Sequence, residues 1–190
     1  MDRNSETELI PEDIDRSLTR AGRLLVYSLW IQSQLSDLII LNRNKEIIND
    51  FNNNPIIPEI LQKERFIFWE KNFKEVKEIF EEELADLLTE QAKVDLNTIY
   101  YLRNAISHSN VSVGRKYLLY KPNNEKIMTS IKEIMHISNK DEVGANPDLI
   151  KIDYSKDSNY INNSSLIKRF DEIFLKKVCQ TMGILHERVR

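Results

Sequence analysis

The sequence predicts an all-α protein, an antiparallel helical bundle with a short β-hairpin that follows one of the helices. Three observations carry this prediction. Long segments repeat apolar residues every three or four positions, asparagine and proline clusters separate them, and one short stretch has extended character. Because a helix must bury its apolar stripe against another element, several such helices in one short chain favour a bundle.

Length and composition favour one ordinary globular domain. The chain has 190 residues, of which 41% are hydrophobic and 30% charged, and a chain of this size can bury a sizeable core. We therefore treat residues 1–190 as one domain and expect residues 1–10 to be flexible. No apolar run has the 18 or more residues of a membrane span, and no apolar signal core follows Met1. With a single cysteine, these features predict a cytoplasmic protein without a membrane partner.

The first predicted helix runs from about Pro11 to Leu41. Apolar residues follow helical spacing on one stripe: Ile14, Leu18, Ala21, Leu24, Leu25, Ile31, Leu35, Leu38 and Ile39. Ser28 and Gln32 interrupt this stripe, and Asp37 lies beside it. Polar residues on a buried face indicate either a satisfied core hydrogen bond or a face turned toward a partner or a site.

Two further helices follow a clear break at 52–55, where three asparagines and a proline favour a turn. The spacing predicts one helix from Pro58 to about Phe80. A third helix covers Leu84 to Ile106, with an apolar stripe along its length.

The pattern changes after His108. The run 117–120 looks extended, the following Pro-Asn-Asn is a turn, and a hairpin with residues 126–128 is expected. Ser130 and Glu133 match a capping box, which predicts a short helix to about Ile137. Residues 138–163 are polar and are expected to form a long surface loop with short elements. A closing helix is predicted from about Ser165 to Val189.

The segment from Arg103 to His108 carries the strongest chemical signal. Arginine offers a planar cationic fork for phosphate oxygens, and histidine can transfer a proton near neutral pH. Asn104 can both donate and accept hydrogen bonds. These residue types suit work on a phosphodiester. The structural alternative is a surface arginine, a capping asparagine and a histidine placed favourably near a helix C-terminus.

An ideal helix does not bring all three side chains together. Asn104 and His108 are four apart and share a face, whereas Arg103 and His108 are five apart and about 140° round the helix. The two can converge on one phosphate only if the helix loosens before His108, or if a second subunit supplies the missing partner.

Charge is unevenly distributed around a formal net charge of −3. From Glu59 to Asp95 there are 11 acidic and 6 basic side chains, a local charge of −5. From Tyr100 to Met135 there are 6 basic and 2 acidic side chains, a local charge of +4. A charged run is usually a solvated face, but an anionic ligand would be drawn to the basic part.

Four residues in the basic part are candidates for RNA contact: Arg115, Lys116, Tyr117 and Lys121. Cations interleaved with aromatic rings are typical of surfaces that stack unpaired bases, although hairpin tyrosines more often pack on a core.

The remaining histidines and the cysteine are weaker candidates for chemistry. His136 is isolated from other residues that bind metals. His186 is expected to interact favourably with the dipole at a helix C-terminus, and Cys179 is expected to pack in the core. Their scatter argues against a zinc site, so no metal and no cofactor is expected.

A helix that ends in Arg-Asn, three further residues and His, followed by an extended hairpin and another helix, resembles the HEPN superfamily. Members are helical bundles whose signature is an arginine, often followed by a polar residue, and then a histidine after four to six intervening residues. Arg103, Asn104 and His108 match this signature with four residues between Arg103 and His108. Ser109 departs from it, because many relatives carry glycine there.

The resemblance implies metal-independent cleavage of RNA in a homodimer whose two motifs meet across one cleft. Arg103, Asn104 and His108 would then be the catalytic residues, and the products would be a 2′,3′-cyclic phosphate and a 5′-OH. The resemblance also implies use as a toxin or in antiviral defence against phage, with an antitoxin protein as a further partner. The alternative function is a non-catalytic HEPN-like module for nucleotide or RNA binding or for assembly.

Overall fold

The computed structural model describes residues 11–111, 115–134 and 148–190. Helices dominate these residues and pack around one core beside a two-stranded sheet, which confirms the predicted all-α bundle. The helices are α1 Glu12–Arg43, α2 Ile48–Asn53, α3 Glu59–Trp69, α4 Phe73–Glu83, α5 Glu90–Ser107, α6 Glu125–Ile134, α7 Asp157–Arg169, α8 Lys176–Met182 and α9 His186–Val189; the strands are β1 Leu118–Tyr120 and β2 Ile150–Ile152. Residues 1–10, expected to be flexible, lie outside this description.

Helix α1 is the centre of the bundle and agrees with the predicted first helix. It contacts α3, α4, α5 and α7, and every residue from Gln34 to Leu41 is buried. The polar interruptions of its stripe make hydrogen bonds. Ser28 Oγ donates to the carbonyl of Leu25 at 2.7 Å, and Gln32 Nε2 donates to the carbonyl of Lys71 at 3.1 Å.

Among the described residues, α1 is the one helix long and apolar enough to cross a membrane. Its best 18-residue window has a mean hydropathy of 1.4, and 61% of that window is buried in the bundle. The bundle therefore uses most of these apolar side chains as core.

The predicted second helix is in fact two helices. The chain leaves α3 after Trp69 and begins α4 at Phe73. Asn72 caps α4 in a capping box: its side chain accepts from the Glu75 backbone N–H at 3.1 Å, and Glu75 accepts from the Asn72 N–H at 2.7 Å. Helix α5 matches the predicted third helix, but begins at Glu90 behind a 3₁₀ turn, with Thr89 as its cap.

The predicted hairpin is wrong in its second strand. Strand β1 lies where extended character was predicted, but it pairs antiparallel with β2, with Leu119 opposite Lys151. Residues 126–128 lie instead in α6, which begins at Glu125 behind Asn124. The Asn124 side chain accepts from the Ile127 N–H at 2.9 Å. Ser130 is therefore inside a helix, and the predicted capping box there is also wrong.

Where the structure describes the predicted loop at 138–163, it contains one short strand and ends earlier than predicted. Residues 150–152 form β2 with Ile150 and Ile152 buried, and α7 begins at Asp157, earlier than the predicted Ser165. The connection between them is attached to α1. Tyr154 is fully buried, its N–H donates to Ser17 Oγ at 3.2 Å, and Arg20 Nη1 donates to its carbonyl at 3.0 Å.

The predicted closing helix is likewise not continuous. A π-helical segment, Phe170–Leu175, joins α7 to α8. At Gly183 the backbone turns left-handed and ends α8, before α9 completes the chain.

Candidate functional site: a cleft at the end of α5

Helix α5 ends immediately before His108. His108 has φ −105° and ψ 9°, while its N–H still donates to the Asn104 carbonyl at 3.0 Å. Two residues later the chain is extended, since Asn110 and Leu119 exchange backbone hydrogen bonds of 2.7 and 3.1 Å. The His108 side chain is exposed. The helix therefore ends at His108 and does not loosen before it, so this condition for convergence with Arg103 is not met.

Arg103, Asn104 and His108 all line one cleft of about 300 Å³. Its walls come from the last turns of α5, the start of α4, strand β1 and the start of α6. The full lining is Asn72, Phe73, Lys74, Tyr100, Tyr101, Arg103, Asn104, His108, Tyr120, Asn123 and Ile127. The structure thus brings the three predicted catalytic residues together within a single chain.

The Arg103 guanidinium retains free hydrogen-bonding capacity. It is half-buried, Nη1 donates to Asn104 Oδ1 at 3.2 Å, and Nε is buried without a hydrogen-bond partner. In the described part of the chain Arg103 forms no ion pair. A buried donor without an acceptor is uncommon in proteins. Asn104 holds the Nη1 arm of the guanidinium, and Arg103 lines the open cleft.

The cleft is electrostatically suited to an anion. Lys74, Arg103 and His108 line it, and the described lining includes no aspartate or glutamate. The first turn of α4 also faces the cleft through Phe73 and Lys74, and the N-terminal end of a helix carries partial positive charge. Lys74 and Arg103 therefore favour a phosphate group in the cleft, whereas the C-terminal end of α5 and the Glu75 carboxylate at the cap of α4 act against it.

The four predicted RNA-binding residues do not line this cleft. Arg115 and Lys116 are exposed, and Lys116 Nζ lies 3.9 Å from Asp13 at the start of α1. The Tyr117 ring has two cations over it, Arg115 at 5.9 Å and Lys151 at 4.6 Å. Lys121 is exposed and directly follows Tyr120 of the cleft wall. Their contact with RNA stays a prediction.

Sequence reasoning missed several cleft residues. Tyr100 and Tyr101 precede Arg103 by three and two positions, so their place on the last turns of α5 could have been noticed from helical spacing. Asn72, Phe73 and Lys74 come from a different helix, and nothing local links them to α5. Only the packing of α4 on α5 reveals them.

The other candidates have structural roles where the structure describes them. Cys179 is fully buried as predicted, and burial raises the pKa of its thiol to about 12. The prediction for His186 is wrong: it begins α9, is buried, and its Nε2 lies 3.0 Å from Asp171 Oδ1. His136 lies outside the described residues.

Comparison with known proteins adds no relative, because no family model, no curated protein and no solved structure matches this chain.

Proposed function

We propose that the protein is a metal-independent endoribonuclease of the HEPN type and that the cleft at the end of α5 is its active site. The observation that carries this proposal is the presence of Arg103, Asn104 and His108 on one cleft wall, with no carboxylate in the described lining. A carboxylate-poor cleft with a cationic fork suits a phosphodiester better than a cationic or neutral substrate.

The reaction follows from the three side chains. The ribose 2′-oxygen attacks the adjacent phosphorus, and the bond from phosphorus to the 5′-oxygen breaks. His108 takes the 2′-OH proton or donates a proton to the leaving 5′-oxygen. Arg103 stabilises the charge on the phosphoryl oxygens, and Asn104 holds Arg103 in place through its Oδ1. The products are a 2′,3′-cyclic phosphate and a 5′-OH, and RNA is required because the nucleophile is the 2′-OH.

We also propose that the active form is a homodimer. Proton transfer at both oxygens needs a base and an acid, and the described lining of one cleft holds a single histidine. A second copy whose cleft faces the first supplies the other imidazole.

An apolar face beside the cleft supports this assembly. Leu29 and Trp69 share a groove between α1 and α3, and the Phe66 ring packs edge-on against Trp69 at 4.8 Å. We call Leu29, Phe66 and Trp69 the α1/α3 face. Phe66 is 61% and Trp69 70% exposed, so the two rings leave on the order of 300 Å² open. That is a substantial part of the roughly 800 Å² per partner in a specific interface.

The α1/α3 face is also next to the cleft along the chain. Trp69 precedes Asn72 of the cleft wall by three residues, which limits their backbone separation to about 11 Å. Two copies that pack through this face therefore hold their cleft rims close to one another.

A cleavage assay tests the enzyme proposal. Wild-type protein is incubated with mixed RNA in excess EDTA, and the product ends are identified by mass spectrometry. His108→Ala and Arg103→Ala should each lower the rate by about 100-fold or more, since each removes a catalytic group. Arg23→Ala, which changes an exposed arginine of α1, is the matched control and should cleave normally.

Other outcomes distinguish the alternatives. RNA binding without products would replace the enzyme with the non-catalytic binding module. Wild-type activity in both cleft variants, with folding verified by circular dichroism, would contradict the proposed site. A role as a toxin or in phage defence, and an antitoxin partner, are supported by the resemblance alone; growth arrest on expression that depends on His108 tests them.

A further inference from the structure

Three aromatic rings form a continuous row that ends in the cleft. Phe73 of α4 and Tyr100 of α5 are stacked with centroids 6.2 Å apart and planes at 27°, and Tyr100 contacts Tyr101 at 5.3 Å. Phe73 is fully buried, whereas Tyr100 and Tyr101 are partly exposed. Among the described residues, Tyr101 has no ring neighbour besides Tyr100. The row therefore runs from the core to the cleft and leaves the Tyr101 ring at its open end.

The fourth ring of the cleft differs from Tyr101. Tyr120 of β1 is 6% exposed, and burial raises the pKa of its hydroxyl. The Tyr120 ring therefore forms part of the cleft wall and leaves little surface for a ligand. Tyr100 and Tyr101 are both partly exposed and pack against the core, but Tyr100 lies between the rings of Phe73 and Tyr101, whereas Tyr101 stands at the end of the row.

Tyr101 shares a helix face with Asn104 and His108, whereas Arg103, two positions further on, lies about 200° round the helix and shares with Tyr101 only the lining of the cleft. Asn104 is three and His108 seven positions further on, the spacing that aligns side chains along one side of a helix. At 1.5 Å per residue, the rise from Tyr101 to Asn104 is about 4.5 Å, and to His108 about 10 Å. A flat apolar surface beside an anion site is the arrangement that a nucleotide needs, because its base and phosphate are joined through the ribose.

We propose that Tyr101 is a stacking platform for an unpaired nucleobase of the substrate RNA. This inference rests on the proposed function, since it names a base-binding residue of the same site. Every base has a face that can stack on an aromatic ring, so the platform selects for an accessible base and little for its identity. In a duplex that face is covered by neighbouring bases.

The experiment measures binding apart from cleavage. All proteins carry His108→Ala to prevent cleavage, and fluorescence anisotropy follows three labelled probes. The probes are a short single-stranded oligoribonucleotide, the same strand paired with its complement, and an abasic ribose-phosphate chain of equal length. The variants are Tyr101→Leu, which removes the ring, and Tyr101→Phe, which keeps it. Tyr27→Leu changes a partly exposed tyrosine that lines a different cavity and is the matched control.

We expect Tyr101→Leu to weaken single-strand binding roughly 5- to 100-fold, while Tyr101→Phe and Tyr27→Leu stay within about twofold. The abasic chain should bind the Leu variant and its parent equally, and the duplex should bind the parent at least about tenfold more weakly than the single strand. Equal single-strand binding by the Leu variant and its parent overturns the inference. The inference is also overturned if Tyr101→Leu weakens binding of the abasic chain as much as binding of the single strand, because the lost contact then involves no base. Circular dichroism verifies that each variant is folded.

The two proposals fail in different ways. If the protein with His108 intact cleaves RNA but Tyr101→Leu changes neither binding nor cleavage, the stacking platform is wrong and the ribonuclease remains. If that protein cleaves nothing while single-strand binding depends on the Tyr101 ring, the catalytic proposal is wrong and the binding site remains. If no probe binds and the protein with His108 intact cleaves nothing, both are wrong.

Discussion

Asp37 is a buried polar residue of α1 that joins this helix to α3. Its side chain is 3% exposed, and both of its oxygens accept hydrogen bonds from Arg65 of α3, at 2.8 and 2.6 Å. Burial raises the pKa of the Asp37 carboxyl, while Arg65 acts in the opposite direction. The sequence marks Asp37 as a polar residue beside an apolar stripe, but its partner is 28 residues away and becomes evident only from the packing of α3 on α1.

Removal of the Arg65 side chain should therefore lower the free energy of unfolding. Arg65→Met keeps most of the aliphatic stem but leaves a buried carboxylate without its cation, and we expect the free energy of unfolding to fall by about 3 kcal/mol. The value is at the low end for buried pairs because the Arg65 side chain is 23% exposed. Lys63→Met, which breaks an exposed pair with Glu59, should leave the free energy of unfolding nearly unchanged. Urea denaturation at one protein concentration measures both.

The loss in Arg65→Met should also depend on pH. With the arginine gone, burial alone acts on Asp37, so its folded-state pKa rises above the unfolded value of about 3.9. A carboxyl whose folded pKa is raised contributes stability below the unfolded pKa and loses it as pH rises through the folded pKa. The variant should therefore be closer to wild type at about pH 4 than at about pH 8. A difference that is the same at both values, or larger in acid, would contradict this account of Asp37.

At the scale of elements, the helix boundaries depend on caps as well as on apolar spacing. Both Asn72-x-x-Glu75 and Ser130-x-x-Glu133 resemble capping boxes, yet only the first begins a helix. Ser130 lies inside α6 because Asn124, six residues earlier, already caps it. A capping-box motif thus indicates that a cap can form. Whether it forms depends on whether a helix already begins upstream of the motif.

Two glycines provide a sharp test of helix-end chemistry. At the end of α8, Gly183 has φ 72°, its N–H donates to the Gln180 carbonyl at 3.2 Å, and the Ile184 N–H donates to the Cys179 carbonyl at 2.8 Å. These are the two bonds of a Schellman motif. Gly22 lies inside α1. A Cβ at either position would meet nothing within 4 Å, so packing does not distinguish them.

Alanine should therefore have opposite effects at the two positions. Gly183→Ala should lower the free energy of unfolding by about 1 kcal/mol, because an L-residue is strained in the left-handed region. Gly22→Ala should raise it by about 0.5–1 kcal/mol, because alanine is the better helix former. Thermal and urea denaturation of both variants measure the signs. Destabilisation of equal size at both positions would contradict the backbone explanation.

At the scale of the whole molecule, the exposed aromatic rings near the cleft require an explanation beyond the fold. Folding of one chain leaves Phe66 and Trp69 more than half exposed, although burial is favourable for both. In the proposed dimer these rings are covered and the two clefts lie together. Assembly and activity are then linked, and one variant can test the link.

Trp69→Glu should separate the protomers, because it places a charge at the centre of the proposed contact. We expect light scattering to show a dimer for wild type at micromolar concentration and a monomer for the variant, with RNA cleavage reduced by about tenfold or more. Val94→Glu, at a position on α5 that is 58% exposed, is the matched control and should remain dimeric and active. A monomeric wild type, or a dimeric Trp69→Glu variant, would remove the composite site.

The sequence by itself determined the helical class, the extent of α1, the end of α5, and the residues of the candidate motif. These depend on spacing over a few turns, and such spacing is local. The tertiary structure decided the pairing of β1 with β2, the partner of Asp37, and the cleft that joins Phe73 and Lys74 to Arg103 and His108. Each of these joins residues about 30 positions apart. Such contacts depend on how whole helices and strands pack, and the local spacing of apolar residues does not predict which elements pack together.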